Sequence, residues 1–108
     1  MHEHHIVFRS QKGLDFPLNL IKLTYEEHEG PGGPHHNKIV DNIYKKDLQD
    51  RLYKIFTGEG YTVEEIAKLL GRPKAVKYFE KHFRYVPSAA GVYKPEDIIR
   101  RLMGGKLY

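Results

Sequence analysis

Glu29-Gly30-Pro31-Gly32-Gly33-Pro34 is a stretch through which no helix or strand can run. Glycine is conformationally loose and proline carries no amide donor, so the segment reads as a loop. It divides the chain into two parts with different grammar. Before it, apolar residues come in short runs. His4-His5-Ile6-Val7-Phe8-Arg9 and Leu20-Ile21-Lys22-Leu23-Thr24 read as strands, joined by a polar turn at Ser10–Gly13 and a loop over Leu14–Asn19. After it, the apolar spacing becomes helical. The expected fold class is α+β, a small antiparallel hairpin followed by a helical region.

In the second part, Tyr44, Leu48, Leu52 and Ile55 recur at three- to four-residue spacing, which predicts a helix over Asp41–Phe56. Asp41 is the expected N-cap, and Lys45, Lys46 and Lys54 are placed on other faces. Thr62-Val-Glu-Glu65 spells a capping box, with Tyr61 and Ile66 as a staple, and Gly71 ends that helix. Arg72-Pro73 is expected to open the next helix, whose apolar stripe is Ala75, Val76, Phe79 and Phe83. Lys74, Lys77, Lys81 and Arg84 then share its other face. Val86–Lys94 reads as a strand, turn and strand, and Pro95-Glu96-Asp97 opens a last helix with acids in its first turn. Helix, tight turn, helix, wing and helix form a winged helix-turn-helix-like plan, which makes the four basic residues candidates for DNA contact. Lysines there would mostly meet phosphates.

Composition narrows the chemistry. The chain has 108 residues, a formal charge of +4 and no cysteine. Disulfides and a structural Cys-zinc site are therefore excluded, and any metal has to be held by His, Asp or Glu. The basic balance suits a phosphate-bearing partner. No apolar run is long enough to cross a membrane and no signal-peptide pattern is visible, so a cytoplasmic protein is expected. Six of the seven histidines fall before residue 37: His2, His4, His5, His28, His35 and His36. Neighbours on a strand face opposite ways, so His4 and His5 are expected to play different roles, one as metal ligand and one as general base.

The ordered residues His4-His5-Ile6-Val7-Phe8-Arg9-Ser10, Gly13-Leu14-Asp15, Asn19-Leu20-Ile21-Lys22-Leu23 and His28 resemble the HNH endonuclease motif, in its bacteriophage variant. Tyr93-Lys94-Pro95-Glu96-Asp97-Ile98-Ile99 resembles the tails of such proteins less specifically. The resemblance covers about residues 4 to 37. It implies a ββα-metal (His-Me finger) unit around one divalent ion, Mg, Mn, Zn or Ni, that hydrolyses DNA phosphodiester bonds. By position, His4 and His28 would be metal ligands, His5 the base that deprotonates water, and Asn19 the residue that orients the base and pins the loop. A third ligand would come from His35 or His36, with His36 preferred. Partners implied are DNA and phage terminase or packaging proteins.

The chain departs from many relatives in lacking two Cys pairs that clamp a structural zinc. Thr24 and Glu27 stand where the downstream ligands would fall. Packing on the Asp41–Phe56 helix, or against a second subunit in a homodimer, would then have to hold the hairpin. The expected organisation is an HNH-like core over 1–37, a connecting helix over 38–58 and a winged helix-turn-helix-like region over 59–108. The alternative expectation is a non-catalytic DNA-binding regulator that keeps a vestigial hairpin.

Overall fold

The structure, a computed structural model, describes residues 2–108. It is an α+β fold with a two-stranded antiparallel sheet and five α-helices among the described residues. Strand β1 (His2–His5) pairs with β2 (Leu20–Leu23), with His4 opposite Ile21 and His5 opposite Leu20. The first strand is therefore earlier and shorter than the apolar run suggests. Ile6 and Val7 leave the ladder to enter the core, where Ile6 N–H donates to the Asn19 carbonyl (2.8 Å).

Helix α1 (Tyr25–Glu29) follows β2 directly and carries His28 in its last turn. Helix α2 (Lys38–Ile55) starts three residues before the expected cap at Asp41. Asn37 is the cap instead: its Oδ1 accepts from Ile39 N–H (3.0 Å) and Val40 N–H (3.2 Å). Asp41 is engaged elsewhere, with Lys45 Nζ 2.6 Å from its Oδ2. Lys45, expected on a solvent face, is only 1% exposed. Its ammonium sits 4.4 Å from the centre of the Phe8 ring. A buried cation of this kind depends on its one carboxylate. Asp41→Ala is expected to lower stability by about 3 kcal/mol in urea denaturation, more than the uncharged pair Asp41→Asn with Lys45→Met.

Helix α3 (Val63–Leu69) carries the predicted capping box: Thr62 Oγ1 accepts from Glu65 N–H, and Glu65 Oε1 accepts from Thr62 N–H at 2.9 Å. Gly71 ends it at φ +81°, a backbone angle that favours glycine, while Arg72 N–H reaches back to the Ala67 carbonyl. Helix α4 (Val76–His82) begins later than expected. Residues 73 and 74 form a turn, so Lys74 precedes the helix, Lys77 and Lys81 lie on it, and Arg84 falls in the turn beyond. Between α4 and α5 (Pro95–Leu102) there are no two strands. There is a two-residue turn with Ala90 (φ 53°) and Gly91 (φ 77°), closed by an Ala89–Val92 bridge, and a second bridge joins Tyr61 to Tyr93.

One hydrophobic cluster runs through the molecule, taking Val7, Leu14 and Phe16 from the hairpin, Leu48 and Leu52 from α2, and Ile66, Phe79, Phe83, Ile98 and Leu102 from the later helices. Each such side chain contributes roughly 1.5–3 kcal/mol on burial. The short sheet is thus held by packing on the helices, because a lone hairpin this size is marginal in water.

Candidate metal centre

The site begins with the side-chain alternation of β1. His4 faces inward and is 1% exposed, while His5, on the other face of the strand, keeps a small part of its ring open to solvent. Across from His4, α1 delivers His28, and the glycine-proline loop returns His35. Ligand atoms of His4, His28 and His35 all lie within 4.8 Å of one another. His28 Nε2 and His35 Nε2 are 2.9 Å apart, so one proton serves both atoms. His36 is exposed and stands outside this group. The structure thus brings His35, rather than His36, to His4 and His28.

The chemistry of the donor set suits a divalent ion. His4 Nε2 is buried with no hydrogen-bond partner, and an orphaned ring nitrogen of this kind costs about 1–3 kcal/mol unless something binds it. Burial, and then the nearby His35 and His28, pull the His4 pKa down to about 4, so it stays a neutral imidazole with a free lone pair at ordinary pH. His28 Nδ1 lies 3.1 Å from Glu29 Oε1, but off the axis needed for a hydrogen bond, so it too is left unpaired. His4, His28 and His35 are the residues that would hold a metal.

His5 is held by a different contact. Its Nε2 is 2.7 Å from Asp15 Oδ1. Arg9 Nε also approaches that nitrogen, at 3.4 Å, from an exposed position. The carboxylate is nearer and cannot donate, so it places the proton on Nε2 and leaves Nδ1 as the basic nitrogen. The His5 hydrogen bond, and secondarily Arg9, hold the Asp15 carboxyl below its usual range. Asp15 is itself fixed by the helical region. Its N–H donates to Tyr78 Oη (2.8 Å), and Arg72 Nη1 donates to its carbonyl.

Asn19 makes no hydrogen bond to His5 among the described residues. It is fully buried and spans the connection between the strands: Val7 N–H donates to its Oδ1 (2.8 Å), and its Nδ2 donates to the carbonyls of Leu14 (2.8 Å) and Val7 (3.2 Å). Its three hydrogen bonds tie the connection between the strands together, while the contact to His5 comes from Asp15. Nothing in a ten-residue separation announces such a pair, so Asp15 carries no signal of this role in the sequence.

His4, His5, His28 and His35 share one open cleft of about 300 Å³ with Phe8, Arg9 and Ser10. The ligand group and the paired imidazole therefore face the same solvent space. Larger grooves elsewhere, such as one of about 710 Å³ over Arg72–Tyr78, contain no such cluster. Lys74 and Lys77 line that groove, and Lys81 and Arg84 are exposed nearby in sequence. No helix among the described residues is long and apolar enough to cross a membrane. Comparison with protein-family models, curated proteins and solved structures finds no match to the chain.

Proposed function

We propose that the chain is a metal-dependent HNH-type endonuclease that hydrolyses DNA phosphodiester bonds. In this reading β1, β2 and α1 form the ββα-metal unit, and α3, α4 and α5 form a winged helix-turn-helix-like module that holds DNA. One observation carries it. Three imidazoles cluster around the partnerless buried nitrogen of one of them, His4, while the next residue on the same strand is an imidazole whose Nε2 meets the Asp15 carboxylate.

His4, His28 and His35 would hold the divalent ion, which when bound would neutralise charge on the phosphoryl and leaving oxygens. His5 Nδ1 takes a proton from water, the water oxygen forms its bond to phosphorus, and the bond to the 3′ oxygen breaks. Asp15 keeps the Nε2 proton in place and stabilises the imidazolium that results. The basic residues Lys74, Lys77, Lys81 and Arg84 supply phosphate contacts. The missing zinc clamp has a local substitute. Thr24 and Glu27 cap α1 reciprocally, Glu27 N–H donating to Thr24 Oγ1 (3.1 Å) and Thr24 N–H to Glu27 Oε1 (2.9 Å). Tyr44 and Lys45 of α2 back His4 and Phe8 from behind.

The test is supercoiled plasmid incubated with Mg, Mn, Zn or Ni, and with chelator. Nicked or linear product in at least one metal and none in chelator is expected; intact plasmid throughout would end this reading. The exposed Lys77 and Lys81 on α4 favour a second reading, a non-catalytic DNA-binding regulator. Intact plasmid together with a sequence-selective duplex shift that Lys77→Glu/Lys81→Glu abolishes would favour it.

Asp15→Asn tests the orienting contact. The amide offers a donor as well as an acceptor and no charge, so both His5 tautomers become available. Cleavage rate is expected to fall about 10- to 100-fold with KM little changed, and Asp15→Glu to recover part of it. An unchanged rate in Asp15→Asn would remove Asp15 from the mechanism.

A further inference from the structure

A second cleft, of about 370 Å³, opens between the β1–β2 connection, the end of α4 and the end of α5, lined among others by Lys12, Lys81, His82, Tyr85 and Arg101. No carboxylate lines it among the described residues. Arg101 separates it from an ordinary row of surface lysines. Its Nε donates to the His82 carbonyl (2.7 Å) and its Nη1 to the Lys12 carbonyl (2.9 Å), so two backbone oxygens fix the guanidinium fork. Among the described residues it forms no ion pair with Asp or Glu. Burial pushes its pKa down. Three of its five N–H groups remain available to an anion.

Tyr85, beside these cations, is 92% exposed, more than any other large apolar side chain described. A tyrosine ring left in water gains nothing from folding, yet it is a ready platform for a nucleobase. The cleft also connects to the metal centre. A shallow groove lined by Ser10, Gln11, Lys12, Gly104 and Lys106 shares Ser10 with the histidine cleft and shares Lys12 and Gly104 with this one. Gly104, at φ +88°, lets the end of α5 press against the connection, since a Cβ there would meet the Gln11 carbonyl oxygen at 2.3 Å. Lysine and arginine thus mark a path from His5 to Tyr85.

We propose that this cleft is a nucleotide subsite, in which Arg101, Lys81 and Lys12 take a backbone phosphate of a DNA strand and Tyr85 stacks on an unpaired base. The subsite rests on the nuclease reading only for the strand's continuation into the histidine cleft. The probe is a short single-stranded oligodeoxynucleotide carrying 2-aminopurine, titrated into the full chain in chelator so that nothing is cut. Binding is expected to quench the 2-aminopurine fluorescence. Tyr85→Ala is expected to abolish the quench and weaken binding about 10-fold or more, whereas Tyr85→Phe keeps both. Lys81→Ala is expected to lower the slope of log affinity against log salt by about 0.7. Wild-type affinity and quench in Tyr85→Ala would overturn the subsite. Because no metal is present, a plasmid that stays intact in the cleavage assay sinks the nuclease reading without touching this result. Plasmid cleavage with no oligonucleotide quench sinks the subsite alone.

Discussion

His5→Ala is expected to slow metal-dependent plasmid cleavage by about 10²- to 10⁴-fold, the usual contribution of a positioned general base. The effect should fall on the rate and leave metal affinity nearly unchanged. His5 shares the cleft but is not one of the clustered ligand atoms of His4, His28 and His35, so its loss removes none of them. Nor should the fold suffer, because the ring's one strong bond goes to a partly exposed carboxylate at the cleft rather than to the core. Cleavage at the wild-type rate in His5→Ala would make the base assignment wrong. Lost metal binding in that variant would instead place His5 among the ligands.

The second large effect concerns metal binding itself. Zinc, used as a probe of imidazole ligands, is expected to bind one ion per chain and to raise the melting temperature. At 100 times its Kd the gain is about 2.7 kcal/mol, or about 10 °C or more for a domain of this size. His4→Ala and His35→Ala should each remove most of that shift, and His36→Ala should keep it. The contrast is sharp because the neighbours His35 and His36 differ only in where the loop points them. A shift that survives in His35→Ala and disappears in His36→Ala would reverse the assignment. No zinc-dependent shift in the wild type would remove the metal centre altogether.

Local signals were legible where the physics is local. The Thr62–Glu65 box, the glycine at Gly71 and the proline at the start of α5 each act within a turn of backbone, and each is found in place. Residues with two possible employers were misread. Asp41 is a good capping residue in isolation, but a buried Lys45 claims it and Asn37 caps instead. Lys45 carries a charge, so periodicity assigns it to solvent. Phe8 from the hairpin and Tyr108 from the chain end cover it, 4.4 and 5.7 Å from its ammonium. The late start of α4 has a similar origin: Arg72 turns aside to bond Asp15 and to lie 4.9 Å over the Tyr78 ring.

The sequence by itself determined the α+β class and the opposed faces of His4 and His5. Hydrophobic spacing and strand alternation were enough for that, because both act over a few residues. Only the tertiary structure decided that His35 joins the His4 and His28 cluster, that Asp15 holds His5, and that Arg101 and Tyr85 flank one cleft. The His5–Asp15 contact joins residues 10 positions apart, and the Arg101–Lys12 contact that shapes the cleft joins residues 89 apart. No repeat or capping rule spans such distances, and their geometry exists only once the helices pack against the hairpin and set its side chains.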